Sequence, residues 1–148
     1  MQRLITAALC GLASLPAFAV DKWVIGSATK TYVLIVDVSA IETNGNVKGT
    51  WVVQVFDKPM DGYDYIVSWD EFDCKTRKTR STDTTSRVFG MPTREKWSDT
   101  DWERVEPGSV GSATLDTVCK GKATNFRKYK TIEEAAKAVR DISAEMGY

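Results

Sequence analysis

Residues 70–81, DEFDCKTRKTRS, bring together several side chains that could do chemistry. A cysteine lies there between an acidic run and a basic run. Neighbouring cations can lower the pKa of a thiol and make it a nucleophile. Catalysis by a thiol also needs a base, and the chain contains no histidine. The segment therefore favours a structural cysteine over a reactive one.

Two acidic clusters are the other candidates for catalysis. They are Asp70, Glu71 and Asp73, and then Asp99, Asp101 and Glu103. Glycoside hydrolysis needs two carboxyl groups at a defined separation, whereas clustered acids near a turn usually form a solvated surface. The sequence shows no nucleophile elbow, phosphate-binding glycine loop or metal-ligand spacing. It predicts no catalytic residue, cofactor or metal, and a carboxylate-dependent hydrolase is only a distant alternative.

The basic run offers a surface for a partner. Its four cations are Lys75, Arg77, Lys78 and Arg80. They would occupy both faces of a strand, and the chain has 20 basic and 20 acidic residues, so we expect no nucleic-acid partner. The cations either protect an edge strand or contact an acidic macromolecule. Trp97 and Trp102, set among polar turn residues, either anchor a protein partner or cap the core edge.

The N-terminal residues 1–19 have the layout of a secretory signal peptide. Arg3 precedes an apolar stretch, and the triplet Ala17-Phe18-Ala19 fits a cleavage site. The apolar stretch is shorter than the roughly 20 residues of a membrane span, and Leu9 before Cys10 does not fit lipidation. We expect cleavage after Ala19, no stable membrane insertion afterwards, and a periplasmic, secreted or cell-surface location.

Removal of the signal peptide changes the cysteine count. Cys10 would leave with it, and Cys74 and Cys119 would remain of the three. Two cysteines in an oxidising compartment are expected to form a disulfide bond.

The first two thirds of the mature chain predict strands. We place them at residues 22–26, 31–41, 47–57, 63–81 and 84–91, with a brief extended segment at 102–108. Within 63–81 the apolar residues change from odd to even positions. We interpret this change as a β-bulge near Asp70 and Glu71, the alternative being a change of the covered face.

Two helices are predicted after the strands. The first has Ser109 or Ser112 as its N-cap and Gly121 just past its end. The second opens with Thr131 and Glu134 at capping-box spacing. Its apolar stripe contains Ile132, Ala135, Ala136, Val139, Ile142 and Met146. The fold class is α+β: an antiparallel β-sheet of about six strands packed against C-terminal helices, in a single domain over residues 20–148.

Five segments carry a resemblance to a known family: KWVIG, YVLIVDVSAI, VKGTWVVQVF, FDCKTRKTR and WERVEPGSVGSATLDTVC. In order and spacing, from Trp23 to Cys119, the chain resembles the bacterial surface-adhesin protein E family. The resemblance implies a sheet braced to a helix by a Cys74–Cys119 disulfide, export, and binding of host matrix or serum proteins by some members. It also implies a homodimer formed through the sheet. The C-terminal helix lies beyond the part that resembles the family.

The function expected from the resemblance is that of a non-catalytic exported binding protein with a protein partner. A soluble periplasmic accessory or envelope protein is the alternative.

Overall fold

A computed structural model describes residues 23–88, 91, 95–121 and 129–145. The predicted signal peptide lies outside these residues. The strands are β1 Trp23–Ala28, β2 Tyr32–Asp37, β3 Glu42–Asn44, β4 Val47–Met60, β5 Tyr63–Asp73, β6 Lys78–Arg87, β7 Glu95–Trp97 and β8 Glu103–Arg104. The helices are α1 Val110–Lys120 and α2 Ile132–Glu145. The described residues contain no helix that is long and apolar enough to cross a membrane.

The strands form one antiparallel sheet in the order β1-β2-β4-β5-β6-β7. β3 pairs with β4, and β8 pairs with β6. Six strands on the main path and two later helices confirm the predicted α+β class.

The predicted strand at residues 63–81 is wrong, because the chain reverses within it. Asp73 Oδ1 accepts hydrogen bonds from the backbone N–H groups of Lys75 and Thr76, at 2.9 and 3.0 Å. Arg77 takes a positive φ of 55°. An aspartate that bonds the backbone two residues ahead is a typical turn former. β5 therefore ends at Asp73, and the basic run forms the turn and the start of β6.

The predicted bulge near Asp70 and Glu71 is also wrong. β4 and β5 pair without a register shift from Val55↔Tyr65 to Val47↔Asp73. The shift of apolar residues from odd to even positions instead marks a change in which face of the strand is covered, which was the alternative interpretation. A bulge does occur in β6, where Val67 pairs with Thr85 but Trp69 pairs with Thr82.

Each face of the sheet packs against one helix. The α2 face holds the core residues Trp23, Val33, Ile35, Val53, Val55, Tyr65, Val67, Tyr129, Ala135 and Ala136. The α1 face holds Val24, Val36, Val52, Phe72, Val105, Leu115 and Val118. The two α2 alanines are fully buried, as the apolar stripe predicts. The side chains of Val139 and Ile142, and all of Met146, lie outside the described residues.

The three predicted helix caps are confirmed. The Ser109 hydroxyl accepts a hydrogen bond from Ser112 N at 3.1 Å, so Ser109 is the N-cap of α1. Gly121 ends α1 with φ 63°. Thr131 Oγ1 accepts from Glu134 N at 3.1 Å at the start of α2.

A disulfide between Cys74 and Cys119 confirms the predicted pair. Cys74 directly follows β5, and Cys119 lies in the last turn of α1. The bond therefore links the turn between β5 and β6 to the helix that covers the α1 face of the sheet.

Candidate functional site

The fold separates the four cations of the basic run. Lys75 lies exposed in the β5–β6 turn. The Arg77 guanidinium donates to Asp116 Oδ1 at 3.0 Å and to Ser112 Oγ at 2.8 Å, which ties the turn to α1. Lys78 and Arg80 follow in β6 at alternate positions, so both project toward the α2 face. The run is not one continuous basic surface.

The edge-strand interpretation of this run does not hold. β6 has β5 on one side and two short strands on the other. Lys78 and Thr79 pair with β8, and Thr84, Thr85 and Ser86 pair with β7. Protection of a free edge therefore does not explain the cations of β6.

Arg80 and Trp102, two of the residues predicted to contact a partner, meet in a groove, here called the Trp102 groove. It has a volume of about 310 Å³. Its lining consists of Glu42, Thr43, Asn44, Val47, Gly49, Trp69, Glu71, Arg80 and Trp102. The register aligns Glu42, Gly49, Glu71 and Arg80 in one row across four strands. The groove thus combines two indoles with charges of both signs.

Arg80 is held in place from two sides. Its Nε and Nη2 atoms both lie 2.6 Å from Glu71 Oε2 on the neighbouring strand. Its Cζ atom lies 4.9 Å from the ring centroid of Trp102, within cation–π range. The Arg80 and Glu71 side chains are 38% and 26% exposed, so their ion pair adds little to stability. Its main effect is to fix the orientation of the guanidinium and the indole.

Trp69 lines the same groove. Its ring meets Trp51 edge to face, with centroids 5.3 Å apart. A Cβ atom at position 49 would lie 2.7 Å from Trp69 Cζ2, so the indole occupies space that a side chain would need. Sequence reasoning missed Trp69 and Gly49. A glycine inside a strand often marks such a close approach, and Gly49 lies within β4.

A second groove, here called the Asp70 groove, lies on the α1 face and has a volume of about 290 Å³. Its lining consists of Leu34, Val52, Gln54, Ile66, Ser68, Asp70, Ser81, Thr84, Trp97, Ser98 and Thr100. Trp97 is 40% exposed and belongs to this groove. The two predicted tryptophans therefore line different grooves.

The acidic cluster around residue 70 is divided as well. Asp70 and Glu71 project to opposite faces because side chains alternate along β5. Asp73 is engaged in the turn after β5. A carboxylate-dependent hydrolase would need these three carboxylates to converge in one pocket, and they do not. No metal-binding group of three or more His, Cys, Asp or Glu residues occurs in the described part of the chain.

Asp70 is electrostatically unusual. Its Oδ1 atom is buried and has no hydrogen-bond partner. Burial raises the pKa of the Asp70 carboxyl above 3.8, and hydrogen bonds from Ser68 and Ser81 oppose that rise only in part. The ionised carboxylate is therefore less stable in the folded protein than in the unfolded chain.

We expect Asp70→Asn to stabilise the protein at pH 7. The folded wild-type protein holds the Asp70 proton more strongly than the unfolded chain does. The contribution of Asp70 to stability is therefore fully present below pH 3.8 and is lost as the pH rises through the folded-state pKa. Urea unfolding at several pH values checks this. The gain of the variant should be largest at neutral pH and should disappear near pH 3.5, so an equal gain at every pH would contradict the burial argument.

Comparison with known proteins gives one match. The family model described as surface-adhesin protein E matches residues 23–120, which include all eight strands and α1. No curated protein and no solved structure matches the chain. The family match covers well over half of the chain, and the chain therefore belongs to the surface-adhesin protein E family.

Proposed function

We propose that the chain is a non-catalytic exported binding protein that holds an extracellular-matrix or serum protein in its Trp102 groove. The observation that carries the proposal is the fixed arrangement of Arg80 between Glu71 and Trp102. Family membership supports an adhesin-like role. The groove adds a specific surface on which such a role can be tested.

The residue types in the groove favour a protein partner. Tryptophan and arginine are the residues that most often dominate the energy of protein–protein contacts. A volume of about 310 Å³ suits one or two inserted side chains. Because Arg80 and Trp102 already contact each other, little side-chain entropy remains to be lost on binding.

The rim of the groove adds selectivity. Glu42 is exposed on β3, and Glu71 and Arg80 form an ion pair on the opposite side. A partner segment with one acidic and one basic side chain would find complementary charges. Charges of this kind set orientation and association rate more than affinity.

Removal of the Trp102 side chain should weaken binding. We expect Trp102→Ala and Arg80→Ala each to lower affinity at least about tenfold, the effect of losing about 1.4 kcal/mol. Surface plasmon resonance of residues 20–148 over purified matrix and serum proteins measures the effect. Trp97→Ala is the matched control, because Trp97 is exposed but lines the other groove.

Two outcomes would count against this proposal. If the wild-type chain binds no protein of the panel, the matrix and serum assignment is wrong. If Trp97→Ala weakens binding and Trp102→Ala does not, a partner exists but the groove is misassigned.

The location of the protein decides between the adhesin and the periplasmic accessory role. We expect protease added to intact cells to degrade a surface-displayed chain. A periplasmic marker protein in the same sample serves as the control and should stay intact. Degradation only after the outer membrane is permeabilised would support the periplasmic alternative.

A further inference from the structure

The Asp70 groove holds a carboxylate whose charge has little compensation. The Asp70 side chain is partly exposed and lines the groove, while its Oδ1 atom is buried and without a hydrogen-bond partner. Ser68 and Ser81 are its hydrogen-bond donors, and both are neutral hydroxyls. A buried carboxylate without a cation is costly, so a cation entering the groove would be attracted strongly.

Three described cations on neighbouring strands and turns have partners elsewhere. Arg80 pairs with Glu71 on the opposite face, and Arg77 pairs with Asp116 on α1. Lys96, on β7 next to Trp97, lies 2.7 Å from Asp83. Two more on β6, Lys78 and Arg87, pair in register with Asp73 and Tyr65 and so face α2, away from this groove. A bound cationic ligand can therefore supply the positive charge that these residues do not bring to Asp70.

The rest of the groove would suit the apolar body of such a ligand. Leu34 and Ile66 are partly exposed on the sheet, and Trp97 stands beside them with 40% of its surface open. An indole attracts both apolar groups and cations. A volume of about 290 Å³ is near the lower limit of small-molecule sites.

We propose that the Asp70 groove binds a small organic ammonium ion, with the cationic head at Asp70 and the apolar body against Leu34, Ile66 and Trp97. The site lies on the face opposite the Trp102 groove. It does not depend on the function proposed for that groove.

The test compares two probes of equal shape. Isothermal titration calorimetry at pH 7 measures the affinity of residues 20–148 for 2-phenylethylammonium chloride and for 2-phenylethanol, its neutral counterpart. We expect the ammonium ion to bind at least about tenfold more tightly, since a hydrogen bond to a charged group contributes about 1.5–3 kcal/mol. Equal binding of the two probes, or no binding of the ammonium ion, would overturn the proposal.

Variants locate the site. Asp70→Asn should abolish the preference for the ammonium ion. Urea unfolding that is as cooperative as that of the wild type will show that this variant is folded. Asp101→Asn removes the same charge from an exposed position that does not line the groove, and it should keep the preference. Trp102→Ala should keep it too. A preference that survives Asp70→Asn would place the cation elsewhere and refute the assignment.

Discussion

Replacing Cys74 and Cys119 together by serine is expected to lower the free energy of unfolding by about 4 kcal/mol. The disulfide closes a loop with a sequence separation of 45 residues, and that separation limits the freedom of the unfolded chain. A small domain has a net stability of about 5–15 kcal/mol, so the loss would be a large fraction of it. Urea unfolding of residues 20–148 measures the change.

The folded state should keep its arrangement in this variant if unfolding remains cooperative. Arg77 still donates to Asp116 and Ser112 on α1. Lys48 Nζ still donates to the Val118 and Cys119 carbonyls, at 3.2 and 3.0 Å. Wild-type protein treated with reductant is the matched control and should unfold at the same urea concentration. A loss below about 1 kcal/mol would show that these contacts, and not the disulfide, determine stability.

The elements that the sequence predicts well are those set by local chemistry. Ser109 and Thr131 cap helices through contacts within three residues along the chain. The Cys74–Cys119 pair is the one that remains when Cys10 is assigned to the predicted signal peptide. The hairpin at Cys74 is not predicted because its turn, residues 74–77, contains no glycine, proline or asparagine, and the aspartate that forms it, Asp73, lies at the end of the strand.

The grooves could not be predicted because they depend on strand register over long separations. Glu71 meets Arg80 only because β5 reverses at residues 74–77. Trp102 meets Arg80 only because β8 pairs with β6 at Lys78 and Thr79. The alternation along β5 that separates Asp70 from Glu71 was visible. To predict which face of the sheet Asp70 and Glu71 each occupy, one must also know which helix covers which face.

The strongest test of the Trp102 groove that does not remove a contact residue is Gly49→Ala. The added methyl group would lie 2.7–2.9 Å from three atoms of the Trp69 indole, closer than non-bonded atoms allow. The ring must move, and it is already packed against Trp51. Overpacking of this kind costs about 1–3 kcal/mol. We expect that loss of stability together with at least about tenfold weaker binding of the protein partner.

Gly111→Ala is the matched control for this change. Its Cβ atom would lie 3.5 Å from Val105 Cγ1, which is an ordinary contact, and position 111 is in α1. Alanine in a helix is more favourable than glycine by about 0.5–1 kcal/mol, so this variant should be slightly stabilised and should bind normally. If Gly49→Ala is as stable and binds as well as the wild type, the position of Trp69 does not control the groove. If it is destabilised but binds normally, the partner contacts Arg80 and Trp102 without using Trp69.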